Sequence, residues 1–111
     1  MTGAINAYTI IGVKTKLIWD EVKRRENLQK HGFDFTDANE VLDSRYRMDV
    51  HVVRGGEARI QSFSYALGLL AVLTVVHTER DGATRVISFR PASNKEREVY
   101  DVWLENEYDE S

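Results

Sequence analysis

Several side chains of this sequence are of the types that bind and cleave a phosphodiester. One arginine guanidinium group can bind two oxygens of a phosphate at once, and it stays charged at any working pH. The first predicted helix adds Lys30 and His31 near its C-terminal end, and Glu57 adds a carboxylate beside a predicted strand. Such groups could stabilise a phosphorane and move protons, which cleavage without a metal requires. The strand arginines of this set are Arg59, Arg80, Arg85 and Arg90.

Each candidate also has a structural alternative. His31 could act as a general acid or base, or it could cap the helix and pack against the core. Arg59 and Arg80 could instead form cross-strand ion pairs with Glu57 or Glu79, each worth about 0.2–1 kcal/mol. Arg85 could pair in the same way with Glu79, and Arg90, at a strand end, could be a plain surface charge. Lys30 could bind phosphate or face solvent. Tyr100, in the last predicted helix, could join the site or pack on the sheet.

We expect neither a metal nor another cofactor. The three histidines, His31, His51 and His77, lack the i, i+4 spacing of a helical metal site, and no carboxylate cluster resembles one. The sequence also has no phosphate-binding glycine loop and no serine in a nucleophile-elbow pattern. Any catalysis is therefore expected to depend on the side chains themselves.

The composition is that of one globular domain. The chain has 111 residues and a net charge of −3, with 15 basic and 18 acidic residues. Five of those acids lie in residues 101–111, which contain no base, so the remainder carries a net charge of about +2. The absence of cysteine fits a reducing cytoplasm. No secretory signal or membrane-spanning run is recognisable, so we expect a cytoplasmic protein without a membrane partner.

The stretch NLQKHGFDF, residues 27–35, ends the first predicted helix on polar side chains. Asp20 is a suitable N-cap for a helix that runs to about His31, and Gly32 can supply the left-handed residue that follows. Leu28 points away from the polar group, whereas a solvated helix would usually hide its apolar residues. The residues that share a face within about 80° are Trp19, Lys23, Asn27 and Lys30.

Asp34 predicts the start of a second helix, whose core-facing residues would be Phe35, Ala38, Val41 and Leu42. Two hairpins follow, with turns at Gly55-Gly56 and Asp81-Gly82. The second turn allows either a two-residue loop, which pairs Arg80 with Ala83, or a three-residue loop, which pairs Arg80 with Thr84.

Pro91 should end the last strand, because proline cannot donate to a ladder. Ser93 and Glu96 form a capping box for a last helix, with Val99, Val102 and Trp103 as its apolar stripe. The fold class is therefore α+β: an antiparallel sheet of about four to five strands with two N-terminal helices and one C-terminal helix. An additional strand is expected in the N-terminal extension, at Tyr8–Val13.

Five blocks of the sequence resemble the BrnT family of ribonuclease toxins from bacterial type II toxin–antitoxin pairs. They are WDEVKRRENLQKHG, FDFTDANEV, GEAR, HTERDGATRVISFR and ASNKEREVY, and they occur in the same order and at similar spacings from about Leu17 to Tyr100. The chain departs from the family at Phe89, where alanine is usual, and in its apolar turn YALGLL. It also has longer ends. The resemblance divides the chain into an extension (1–14), one BrnT-like toxin domain (15–104) and an acidic tail (105–111).

The resemblance implies a RelE-like fold and metal-independent cleavage of RNA that inhibits translation. Together with the chemistry of the side chains, it leads us to expect Arg59, Arg80, His31 and Glu57 as catalytic residues, with substrate-binding roles for Lys30, Arg85, Arg90 and Tyr100. It also implies a BrnA-like antitoxin with a ribbon-helix-helix domain, through which the complex would bind promoter DNA. The alternative is a non-catalytic interaction module of the same fold, a decayed toxin that only binds its partner. The enzyme hypothesis requires the cations to meet around one concave surface.

Overall fold

The computed structural model describes residues 16–108, which form a five-stranded mixed sheet with three α-helices. Along the chain the elements are β1 (Leu17–Ile18), α1 (Glu21–His31), a 3-10 turn (Phe35–Asp37), α2 (Asn39–Leu42), β2 (Met48–Arg54), β3 (Glu57–Tyr65), β4 (Val72–Arg80), β5 (Ala83–Pro91) and α3 (Asn94–Tyr108). The strand order is β1-β5-β4-β3-β2, with β1 parallel to β5 and the other pairs antiparallel. The α+β prediction is confirmed. The strand predicted at Tyr8–Val13 lies outside the described residues.

Both hairpins close through two-residue turns. The backbone φ angle is positive at both central residues of each turn: 58° and 79° at Gly55-Gly56, and 53° and 80° at Asp81-Gly82. Positive angles at both positions characterise the type I′ turn, whose twist matches that of the strands. The second turn pairs Arg80 with Ala83, which selects the two-residue alternative.

The ends of α1 follow the predicted capping pattern. The Asp20 carboxylate accepts hydrogen bonds from the backbone N–H groups of Val22 and Lys23, at 2.9 and 3.3 Å. Gly32, at a φ of 79°, donates its N–H to Leu28 O at 2.8 Å. The second predicted helix is shorter than expected, because it consists of a 3-10 turn followed by the single-turn helix α2.

Two hydrophobic clusters lie on opposite faces of the sheet. The cluster under α1 and α2 contains Phe35, Ala38, Val41, Leu42, Leu73, Val75, Val86 and Phe89. The smaller cluster under α3 contains Met48, Phe63, Val72 and Tyr100. Since α3 packs on one part of its face only, the rest of that face is available to form a site.

The predicted apolar stripe of α3 was wrong for two of its three residues. Val99 and Val102 are 53% and 59% exposed, whereas Tyr100 is completely buried and Trp103 packs beside it. Residues 100, 103 and 104 have the same helical spacing as 99, 102 and 103, and their larger side chains bury more area against the sheet. The capping box is confirmed: Ser93 N donates to Glu96 Oε1 at 2.8 Å, and Glu96 N donates to Ser93 Oγ at 3.1 Å. Among residues 16–108, no helix is both long and apolar enough to cross a membrane.

Candidate functional site

A cavity of about 390 Å³ lies on the sheet face that carries α3, beyond the part that this helix covers. Three of its lining residues are arginines from three different strands, and the other polar ones are an amide and a hydroxyl. We call this space the arginine cavity. Its lining residues are Val52, Arg54, Arg59, Gln61, Val76, Ile87, Ser88 and Arg90.

Strand register explains why these side chains meet. Residues that face each other across an antiparallel pair point to the same side of the sheet. Val52 stands opposite Arg59, and Val76 stands opposite both Gln61 on β3 and Ser88 on β5. A bulge leaves Ile87 without a partner in the β4–β5 ladder. Bulges change the direction of side chains, which is consistent with Ile87 and Ser88 both reaching the cavity.

Glu57 joins two of the predicted site residues. Its Oε1 accepts a hydrogen bond from Arg59 Nε at 3.0 Å, and its Oε2 lies 3.6 Å from Arg80 Nη2. Arg59 lines the arginine cavity, whereas Arg80 is 47% exposed and lies beyond the lining residues. The expected cross-strand ion pair is therefore present for Arg80 on β4, whereas Arg59 pairs with Glu57 within the same strand, β3.

Arg90, which lines the arginine cavity from β5, is held in place by the first turn of α3. Its Nη1 and Nη2 donate to the two carboxylate oxygens of Glu96, at 2.8 and 3.1 Å. These bonds raise the pKa of Arg90, and the guanidinium group lowers the pKa of Glu96. Because Glu96 also closes the capping box, the first turn of α3 fixes Arg90 in orientation.

A buried amide positions α1 next to Arg90. Asn27 Nδ2 donates to Phe89 O at 2.8 Å and to Phe33 O at 3.0 Å, and Asn27 Oδ1 accepts from Phe89 N at 3.1 Å. The polar face of α1 is thus partly structural, since Asn27 satisfies backbone groups of β5. His31, at the end of the same helix, is consequently held within electrostatic reach of Arg90.

His31 is half-buried at the C-terminus of α1. Burial lowers the pKa of its imidazole, and the positive charges of Lys30 and Arg90 lower it further. Lys30 is exposed. A neutral imidazole can accept a proton, so this environment suits a general base better than a general acid.

Only Arg59 and Arg90 of the predicted site residues line the arginine cavity, and Lys30, His31 and Glu57 lie outside its lining, as do Arg85 and Tyr100. Arg85 is half-buried on β5, between Ile18 of β1 and Thr78 of β4, and is not among the lining residues. Tyr100 is completely buried in the core, and its hydroxyl donates to Tyr46 O at 2.7 Å. Burial raises the pKa of Tyr100. The structure therefore places Tyr100 in the packing under α3.

Sequence reasoning missed three polar residues of the cavity. Arg54, Gln61 and Ser88 line it beside the predicted arginines. The Gly55-Gly56 turn could have predicted Arg54, because a two-residue loop pairs residue 54 with Glu57 and so puts Arg54 on the same face of the sheet as Arg59. Gln61 follows from strand alternation with Arg59. The position of Ser88 depends on the bulge, which no local pattern indicated.

Within the part of the chain that the structure describes, no three His, Cys, Asp or Glu side chains are grouped so that they could hold a metal ion. The arginine cavity instead presents guanidinium, amide and hydroxyl groups. These groups donate hydrogen bonds to anionic oxygens, and they match the oxygens of a phosphodiester.

Comparison with known protein families agrees with this chemistry. The family model for the ribonuclease toxin BrnT of type II toxin–antitoxin systems matches residues 19–96, which is more than half of the chain. The chain belongs to this family. Among curated proteins, none matches the sequence.

The BrnT match includes every lining residue of the arginine cavity, together with His31 and Glu57. It ends at Glu96, the residue that holds Arg90, and so excludes most of α3. Family membership implies ribonuclease activity at the family level and an antitoxin as partner.

Proposed function

We propose that the chain is an endoribonuclease toxin that cleaves RNA without a metal and thereby inhibits translation. The arginine cavity binds the scissile phosphodiester. The observation that carries the proposal is the convergence of Arg54, Arg59 and Arg90, from three strands, on one concave surface. Guanidinium groups from several directions can stabilise the charge that develops on the equatorial oxygens of a phosphorane.

The reaction uses the substrate's own 2′-hydroxyl as the nucleophile. His31 accepts the 2′-hydroxyl proton, the 2′-oxygen bonds to phosphorus, and the bond from phosphorus to the 5′-oxygen breaks. The 5′-oxygen takes up a proton from water, so the products are a 2′,3′-cyclic phosphate and a 5′-hydroxyl. The lowered pKa of His31 supports its role as the base. Glu57 is the second candidate for proton transfer, although it already accepts a hydrogen bond from Arg59.

Other cations assist from the rim of the cavity. Arg80, linked to Arg59 through Glu57, orients that pair, while Lys30 and Arg85 bind phosphates farther along the RNA. Such contacts would make binding depend on salt, because each phosphate contact releases counterions. We exclude Tyr100 from the substrate-binding set because its side chain is enclosed in the core.

We further propose that a BrnA-like antitoxin with a ribbon-helix-helix domain neutralises the toxin in the cytoplasm. The complex binds promoter DNA through the antitoxin. The support is membership of a toxin–antitoxin family.

An RNA cleavage assay in chelator tests the enzymatic part. Wild-type protein is incubated with structured RNA and EDTA beside Arg59→Ala, with Arg25→Ala as the matched control on the exposed side of α1. Loss of one transition-state cation should slow cleavage about 100-fold, while the control should cleave at the wild-type rate. Intact RNA with pure wild-type protein would refute the enzymatic proposal.

The second candidate function is a non-catalytic module that only binds a partner. Two features favour it: Glu57 and Glu96 already pair with the cavity arginines, and the β3–β4 turn exposes Leu67, Leu69 and Leu70. Leu70 is fully exposed. Tight binding of the product of an adjacent gene, without RNA cleavage by the toxin alone, would select this function.

A further inference from the structure

A second cavity adjoins the arginine cavity, and its chemistry is different. It has a volume of about 230 Å³ and lies between the first turns of α3 and strands β2 and β3. Most of its surface is apolar. We call it the apolar pocket; its lining residues are Met48, Val50, Gln61, Phe63, Lys95, Glu96 and Val99.

The two cavities border each other through one shared residue and one ion pair. Gln61 lines both of them. Arg90 lines the arginine cavity and Glu96 lines the apolar pocket, and the two side chains form hydrogen bonds of 2.8 and 3.1 Å. A molecule whose phosphate lies in the arginine cavity beside Gln61 would therefore place its next group at the entrance of the apolar pocket.

The walls of the apolar pocket include apolar side chains that folding leaves partly exposed. Val99 is 53% exposed on α3, and Val50 is 36% exposed on β2. Phe63, almost completely buried, belongs to the floor. The rim carries an amide, an ammonium and a carboxylate from Gln61, Lys95 and Glu96. Apolar walls with a few polar groups at the edge are typical of small-molecule sites that recognise a ring by its faces and its edge.

We propose that the apolar pocket is a base-binding subsite, which takes the nucleobase next to the scissile phosphate. The inference rests on the proposed function, because it requires RNA in the arginine cavity. The faces of the base contact Val50 and Val99, and the rim groups form hydrogen bonds with its edge. Unstacked bases of single-stranded RNA are generally recognised by a flat side chain on the ring face and by hydrogen bonds to the ring edge. Here aliphatic walls take the place of the flat side chain.

The position of the apolar pocket directly beside the phosphate-binding residues favours a nucleobase over a protein side chain as the occupant. In RNA, a phosphate and the adjacent base are joined through one ribose. A single nucleotide can therefore place its phosphate in the arginine cavity and its base in the apolar pocket. The pocket also has a donor and an acceptor at the rim, as edge recognition requires. The pocket therefore determines sequence preference at one position.

The test combines a change in the pocket with a change in the RNA. Val99→Trp places a large ring in the apolar pocket, whereas Val102→Trp adds the same ring to the same helix at an exposed position that does not line it. Each protein is given short RNAs that carry either a normal or an abasic nucleotide next to the cleaved bond. Cleavage and the binding of uncleavable 2′-deoxy analogues are measured, and thermal unfolding verifies that each variant folds.

Wild type and Val102→Trp should bind and cleave the abasic RNA about tenfold less well than the normal RNA. Val99→Trp should process the two RNAs equally, because the base no longer enters. If all three proteins showed the same ratio of activity on normal and abasic RNA, the proposed subsite would be refuted. Val99→Trp that cleaves normally but fails to bind the antitoxin would also overturn it, since the pocket would then serve the partner protein. If wild type leaves the RNA intact and does not bind the analogue, the proposed function itself fails.

Discussion

Asn27→Ala should destabilise the fold far more than a polar residue on a helix surface usually does. Asn27 is 8% exposed and forms three hydrogen bonds, of 2.8, 3.0 and 3.1 Å, to backbone atoms of Phe89 and Phe33. The substitution removes both the donor and the acceptor. It leaves Phe89 N–H and two carbonyl groups without these partners, at the contact between α1 and β5.

The magnitude follows from the groups left unsatisfied. A buried polar group without a partner costs about 1–3 kcal/mol, and water that enters the space vacated by the amide offsets part of this. We expect a loss of about 2–4 kcal/mol in the free energy of unfolding, which corresponds to a decrease in Tm of at least about 10 °C for a domain of this size. Gln29→Ala, at an exposed position of the same helix, should change stability by less than about 0.5 kcal/mol.

Asn27→Asp separates the hydrogen bonds from side-chain volume. The introduced carboxyl can still accept from Phe89 N, but its second oxygen faces the carbonyl oxygens of Phe89 and Phe33. This arrangement favours the neutral acid, so the pKa of the introduced carboxyl should be higher in the folded state than when unfolded. The variant should then be closest to wild type at low pH and lose relative stability as the pH rises through that raised value.

Urea unfolding of the four proteins, followed by tryptophan fluorescence at pH 5 and pH 7.5, measures these effects. Asn27→Ala within about 0.5 kcal/mol of wild type would refute the assignment of Asn27 as the residue that fixes α1 on β5. An Asn27→Asp deficit that does not depend on pH would refute the contact with two carbonyl oxygens. The site should respond as well: because α1 carries His31, folded Asn27→Ala should cleave RNA more slowly.

Three further predictions concern titration and turn geometry. Burial, together with the positive charge of Arg47, lowers the pKa of His77 to about 4, so the neutral imidazole is favoured in the fold. The contribution of neutral His77 to the free energy of unfolding is therefore complete above about pH 6.5, and about 3 kcal/mol of it should be lost as the pH falls to 4. Urea midpoints measured across this range should change much less in His77→Gln. Gly82→Ala should cost about 1 kcal/mol in urea unfolding, because a φ of 80° is unfavourable for alanine although a Cβ there would meet no atom within 4 Å. The rate of RNA cleavage should decline only below pH 6.5, the ordinary pKa of His31, and Arg90→Gln should move this inflection to higher pH because it removes a positive charge.

The features that the sequence predicted correctly are those that depend on neighbouring residues. Asp20, Gly32 and the Ser93–Glu96 box set the ends of helices through hydrogen bonds within four residues. The hairpin turns followed from glycines at positions of positive φ. Such patterns contain their own geometry, so no knowledge of the rest of the fold was needed.

The features that the sequence did not predict depend on distant contacts. The bonds between Asn27 and Phe89 join residues 62 positions apart, and the helical pattern showed only that Asn27 shares a face with Trp19. The rotation of α3 is set by how Tyr100 and Trp103 fit the sheet, since the spacing allowed two stripes. The arginine cavity also required a bulge at Ile87, which appears only when β4 and β5 are paired.

The pairing of the cavity arginines with Glu57 and Glu96 bears directly on whether the cavity can bind RNA. Glu57 accepts from Nε of Arg59, so this bond leaves the Nη1 and Nη2 groups of Arg59 available for a phosphate. Arg54 forms no ion pair with any described residue. Of the three cavity arginines, Arg90 is the one whose two terminal nitrogens both bond to a described carboxylate, that of Glu96. Arg54 and Arg59 can thus contact an incoming phosphate without first breaking an ion pair. The carboxylates of Glu57 and Glu96 also restrict the rotation of Arg59 and Arg90, which reduces the side-chain entropy lost when substrate binds. The acidic neighbours therefore orient these cations, and their presence is compatible with the enzymatic function.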